Sequence, residues 1–111
     1  MTKRQLSKLL ATWQERLRLR DVAITAEFVK DLQSEGQDCH GLCWSDRAAP
    51  SATIQIRSTP IKEVPDRPVE WVLIHELLHV LMPDIQPAEY EEPAINKIAW
   101  ALYRAYNPER P

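Results

Sequence analysis

His75-Glu76-Leu77-Leu78-His79 has the form H-E-x-x-H, two imidazoles four residues apart with a carboxylate between them. On a helix, positions i and i+4 lie one turn apart on the same face, so both rings can reach one metal ion. Glu76 sits beside them, placed to take a proton from a water held at that ion. Zn²⁺ suits such a donor set: it is four-coordinate, and catalytic sites keep one position for water. Two histidines are only part of that shell, so a third protein ligand is needed. Glu91 and Glu92 open a later helical pattern. Taking Ile95 as the centre of its apolar face, they lie about 40° to one side and about 60° to the other. Geometry alone does not choose between them. Glu92 is preferred because Asn96 follows one turn later, placed to support a liganding group. The expected chemistry is metal-assisted hydrolysis, in which Glu76 takes the proton of the attacking water and passes it to the leaving amine. No tyrosine is singled out as an oxyanion donor.

The elements that must position these residues are legible as patterns. Residues 69–82 hold ten apolar residues out of fourteen, and the exceptions are Glu70, His75, Glu76 and His79. On a helical wheel the last three fall within roughly one third of the circle, while Glu70 lies on the far side. A helix apolar nearly all round belongs in a domain's interior. Pro68 suits its first turn, Asp66 is a candidate cap, and Pro83 ends it. The final helix carries Ala94, Ile95, Ile98, Ala99, Leu102 and Tyr106 on one face. Upstream, residues 3–18 place Leu6, Leu9, Leu10, Trp13 and Leu17 at helical spacing. Val22 to Val29 alternates as a strand, and residues 30–38, with Gly36, read as a turn. Cys39 to Trp44 is a short candidate strand, Ser45 to Ser51 a turn, and Ala52 to Arg57 another strand. The order α-β-β-β-α-α predicts one α+β domain over residues 1–111 with a small three-stranded sheet.

The segments VLIHELLHVLMP and EEPAINKIAWAL resemble the zincin metallopeptidases, above all the very small zincins encoded in bacteriophage and prophage genomes. With an acidic residue on the following helix, the chain looks like the gluzincin branch. The resemblance implies a minimal zincin-like fold, with His75, His79 and Glu92 as zinc ligands and Glu76 as catalytic base. It also implies an edge strand beside the cleft, to which an extended peptide adds by backbone pairing. Ala52–Arg57 is the candidate for that strand. The short link between the two helices implies few substrate subsites, or subsites supplied by a partner.

Composition narrows the alternatives. A net charge of −2 over 111 residues leaves no basic footprint for nucleic acid. No apolar run approaches a membrane span, and the N-terminus has no apolar stretch behind its basic residues, so no signal peptide is expected. Cys39 and Cys43 would stand about 13 Å apart in a strand, too far for a disulfide, and a cytoplasmic location is expected. Cys39, His40 and Cys43 offer three donors but no partner pair, and read as ordinary strand residues near a turn. The four Trp, one per element, read as packing residues, with Trp71 one turn before His75. The leading expectation is a zinc-dependent peptidase acting on a peptide or protein. The alternatives are a zinc-binding protein with a structural or vestigial site that acts in binding or assembly, and a zinc hydrolase of a non-peptide bond.

Overall fold

The computed structural model describes residues 1–46, 48–82 and 88–109. Three helices, α1 (Lys3–Arg16), α2 (Val69–Leu81) and α3 (Glu91–Tyr106), accompany five strands. These are β1 (Ala23–Val29), β2 (Gln33–Ser34), β3 (Gln37–Asp38), β4 (Gly41–Asp46) and β5 (Ser51–Arg57). The main sheet has the order β1-β5-β4, with β5 parallel to β1 and antiparallel to β4. This is the expected α+β class, and no helix among the described residues is long and apolar enough to cross a membrane.

Alternation along the strands decides which face is covered. Ala52, Ile54 and Ile56 of β5 are buried, and the register puts Ile24, Ala26 and Phe28 of β1 and Gly41, Cys43 and Ser45 of β4 on that same side. Thr25, Glu27, Thr53 and Trp44 point the other way and are exposed. Helices α1 and α2 pack on the covered side, and α3 packs on α2. So α2 lies between the sheet and α3, and Trp71 through Leu78 are all buried. Its near-continuous apolar sequence follows from that middle position. Leu73, Ile74, Leu77 and Leu78 are sealed from solvent, each adding roughly 1.5–3 kcal/mol over an exposed side chain.

Several boundaries differ from the sequence reading. Thr2 and Gln5 form a reciprocal capping box at the start of α1. At α2 the cap residue is Pro68 and no side chain caps the helix, so Asp66 does not serve. Pro68 has the extended backbone of a helix entry, which its ring favours. Pro83, expected to end α2, lies outside the described residues; the last turn closes through Met82 N–H to the Leu78 carbonyl. The stretch expected as a plain turn contains the β2–β3 hairpin, with Glu35 and Gly36 both at positive φ. Such a two-residue turn ordinarily takes Asn-Gly or Asp-Gly, so Glu35 hid it. Arg57, its side chain buried, holds this excursion through the Leu32 carbonyl and Asp38. On α3 the buried residues are Ile95, Ala99 and Tyr103, whereas Ile98 and Tyr106 are exposed. Tyr106 instead lies edge-on to Trp13 with Arg16 over its ring. Trp44 is exposed on the open face of the sheet, unlike the other three Trp.

Glu70, the polar residue on the far side of α2 from the triplet, ties three helices together. Its carboxylate accepts from Trp13 Nε1 of α1 at 2.7 Å and from Asn107 Nδ2, at the C-cap of α3, at 2.9 Å. Trp13 is fully buried, so losing that acceptor strands its N–H away from water. Glu70→Ala is expected to cost about 1–3 kcal/mol in urea unfolding. A loss no larger than that of an exposed α1 substitution such as Lys8→Ala would show that the bond is not structural.

Candidate metal centre

The polar triplet of α2 faces the N-terminus of α3. His75 Nε2 lies 3.2 Å from Glu92 Oε2, and His79 Nε2 lies 2.8 Å from Glu92 Oε1. The two Nε2 atoms are 3.3 Å apart, aimed at the same point from successive turns. Among the described residues His75, His79 and Glu92 form a group that could hold a metal ion, with one ligand atom from each within 4.8 Å of the others. Glu92 and Glu91 sit in the first turn of α3, where unpaired backbone N–H groups favour a carboxylate. Pro93 follows, and the missing N–H of a proline is tolerated there.

The two acidic candidates take different places. Glu92 reaches both rings, whereas Glu91 Oε1 accepts from His79 Nδ1 at 3.2 Å. That bond orients the His79 ring with Nε2 toward the shared point, the usual role of a carboxylate behind a liganding imidazole. Asn96 makes no hydrogen bond to a ligand among the described residues; it lines a neighbouring cavity. The support expected from Asn96 therefore comes from Glu91, which was weighed as a ligand but not as a buttress.

Electrostatics follow from this crowding. Hydrogen bonds from His75 and His79 hold the Glu92 carboxyl well below the usual carboxylate range. Its bond to Glu92 raises the His79 imidazole above its ordinary value, against the opposing effect of burial. Burial raises the Glu76 carboxyl, partly offset by the two imidazoles. At 6 % exposure Glu76 is among the most enclosed polar side chains of the chain, the condition that brings a carboxylate toward useful basicity.

The enclosure comes from β4. A cavity of about 440 Å³ lies between Gly41, Cys43 and Ser45 on that strand and His75, Glu76 and Glu92 on the helices. A Cβ on Gly41 would lie 2.7 Å from Val72 Cγ1 and 3.0 Å from Glu76 Oε2, so only glycine lets the strand come this close. An isolated glycine within a strand pattern is itself a signal of close approach, and sequence reasoning passed over it. The Cys43 thiol is pushed up to about 12 by burial and by Glu76, so it stays protonated near neutral pH and serves as a small wall. Neither cysteine belongs to the metal-binding group. Trp71 packs 5.1 Å from the His75 ring. Tyr103 is buried against Trp100, Tyr106 lies on Trp13, and Tyr90 is exposed ahead of α3.

No protein-family model, no curated protein and no solved structure matches the chain.

Two outcomes are expected from this geometry. Glu91→Gln keeps the shape but weakens acceptance from His79, and should lower metal affinity about 10–100-fold in a competition titration with a chromophoric chelator. Affinity equal to the parent would remove Glu91 from the centre. Gly41→Ala should destabilise the fold by about 1–3 kcal/mol through the enforced clash with Val72 and Glu76. A melting temperature unchanged from the parent would mean that β4 can stand off from α2 at no cost.

Proposed function

We propose that this chain is a zinc-dependent metallopeptidase whose ligands are His75, His79 and Glu92 and whose general base is Glu76. The observation that carries the reading is the convergence of two imidazole nitrogens and one carboxylate beside a second, buried carboxylate. Two nitrogens each about 2.05 Å from a tetrahedral zinc ion stand about 3.3 Å apart. The two Nε2 atoms here are 3.3 Å apart, and each lies within 3.2 Å of a Glu92 oxygen. A purely structural zinc site takes four protein donors and has no use for a base. Here three donors converge, and Glu76 stands beside them.

When bound, zinc would acidify a water molecule and polarise the carbonyl that the water attacks. The protein's own residues do the rest. Glu76, enclosed by Gly41 and Val72, takes the proton of the attacking water and delivers it to the departing amine. Glu91 keeps the His79 ring oriented, and the α3 N-terminus steadies both carboxylates.

A peptide needs a place to lie. Ala52–Arg57, expected as the edge strand, falls within β5, the central strand of the sheet, and is paired on both sides. The strand beside the centre is β4, which pairs with β5 on one side only among the described strands. The correction has a physical reason: a strand buried on one face and flanked by two others reads as a regular alternation, and alternation does not tell edge from centre. Gly41–Asp46 is therefore the strand to which we assign an extended peptide, adding by backbone pairing beside Glu76.

Metal analysis of the purified protein and two variants tests the reading. One zinc per chain is expected in the parent and in Glu76→Gln, and none in His75→Ala. Cleavage of a peptide library is expected from the parent alone. Metal retained in His75→Ala would refute the ligand set. Cleavage that persists in Glu76→Gln would remove the general base.

A further inference from the structure

Beside the metal centre lies a second cavity, of about 260 Å³, whose wall includes His40, Arg67, Trp71, His75, Glu92 and Asn96. Three buried side-chain polar atoms lack a hydrogen-bond partner among the described residues: Trp71 Nε1, His75 Nδ1 and His40 Nε2. The residues that carry them, His40, Trp71 and His75, all line this one cavity. Trp71 and His75 are 6 % and 8 % exposed, so neither residue has ready recourse to solvent. Unpaired buried polar atoms are rare in folded proteins, and each costs about 1–3 kcal/mol. Three around one cavity mark a place where something else supplies the partners.

Their chemistry says what. Trp71 Nε1–H can only donate. His75 turns Nε2 toward Glu92 and His79, so a metal ion held at Nε2 would leave the proton of the neutral ring on Nδ1, a donor on the opposite side. His79 has Glu91 at the corresponding position, whereas His75 has no such carboxylate among the described residues. Arg67 lies at the rim, exposed, with its guanidinium 5.2 Å from the Trp71 ring and 5.5 Å from the Trp100 ring, and it makes no ion pair among the described residues. An arginine held on two aromatic faces keeps its donor fork pre-organised for a planar two-oxygen anion. Asn96 adds an amide. His40 Nε2 is unpaired as well and can pair with a polar hydrogen or acceptor of the same ligand. Glu76 and Glu92 also border this cavity, so a singly charged group suits it better than a doubly charged phosphate.

We infer that this cavity is a substrate subsite for a carboxylate, held by Arg67, Trp71 Nε1 and His75 Nδ1, so that the substrate completes the surroundings of His75. The carboxylate belongs to an acidic side chain or to the C-terminus of the bound peptide; both present the same two oxygens. Trp71 and Arg67 are then specificity residues beside the centre. The cavity is smaller than the roughly 300–1,000 Å³ that takes a whole drug-sized ligand, and fits the end of one residue. This inference rests on the peptidase reading for its substrate but not for its test.

The test is binding to the zinc-loaded Glu76→Gln protein, in which cleavage is blocked, followed by the fluorescence of Trp71 and Trp100. Three probes are compared: an end-blocked tripeptide with central glutamate, its glutamine counterpart, and the glutamine peptide with a free C-terminal carboxylate. At least one carboxylate-bearing peptide is expected to bind about tenfold more tightly than the neutral one; which of them does so identifies the source. Arg67→Gln should abolish the preference, and Trp71→Phe, which keeps the ring and loses the N–H, should reduce it. Equal binding of all three peptides overturns the inference. So does a preference that survives Arg67→Gln, because the carboxylate would then be held by the metal alone. Failure of the peptidase reading is distinguishable: Arg67-dependent binding without cleavage by the parent removes the activity and leaves the subsite. Cleavage with no acidic preference does the reverse.

Discussion

A helix in the middle of a domain must bury every face, yet α2 carries four polar side chains, and burying such groups without partners costs several kcal/mol each. The rest of the structure follows from supplying those partners. The sheet and α1 cover the apolar faces, but neither can serve both ends of α2. Helix α3 does. Its first turn brings Glu91 and Glu92 to the histidines near the end of α2, and Asn107 at its far end reaches Glu70 in the first turn of α2. The two helices are thus antiparallel, fixed in register by polar contacts at both ends and filled between them by Ile95, Ala99 and Tyr103. Apolar packing alone would tolerate a slip along the helix axis. Two polar anchors, one per end, do not.

At the anchor that forms the centre the charges do not balance without help. Glu76, Glu91 and Glu92 bring three carboxylates into one part-buried pocket against two imidazoles. Glu92 adds to the lift on the Glu76 carboxyl, and Glu76 and Glu92 both favour a proton on His79. The helix N-terminus relieves part of this repulsion at Glu91 and Glu92 but is remote from Glu76 in the chain. A divalent cation at the shared point of the two Nε2 atoms would relieve the rest, because it takes the place of a proton at His79 and draws the charge of Glu92.

How much of this the sequence disclosed depends on whether a feature is local. The H-E-x-x-H spacing and the apolar pattern around it are properties of one helix, so the placement of His75, Glu76 and His79 on a buried α2 was readable. The pairing of Glu92 with both rings was reached through an argument about Asn96, yet the residue standing behind a ligand is Glu91. A helical wheel gives angles about an axis but not the offset between two helices, and that offset decides which carboxylate faces which ring nitrogen. Strand order failed for the same reason. The alternation of Ala52–Arg57 shows one buried face and says nothing about its neighbours, whereas Gly41, in a strand whose sequence does not alternate clearly, marked the closest approach. Ile98 and Tyr106 were misplaced because α3 packs on one helix and not on a sheet: its buried stripe is narrow, through Ile95, Ala99 and Tyr103, and the flanking apolar residues stay outside.

The edge strand and the centre are one device. Gly41 lets β4 sit against Val72 and Glu76, which encloses one side of Glu76 and brings a strand edge, unpaired among the described strands, beside the two histidines. A larger residue at Gly41 would push both away together, because the same Cβ meets Val72 and Glu76. In the proposed reading, backbone pairing would fix an added peptide in steps of two residues, so the approach that encloses Glu76 would also set which peptide bond comes level with it. Sequence recognition then has to come from side-chain sites next to that bond. The cavity lined by Arg67, Trp71 and His75 adjoins the centre, with which it shares His75, Glu76 and Glu92. In that reading a small domain would need no long groove, because register would come from the strand and identity from a single side-chain pocket.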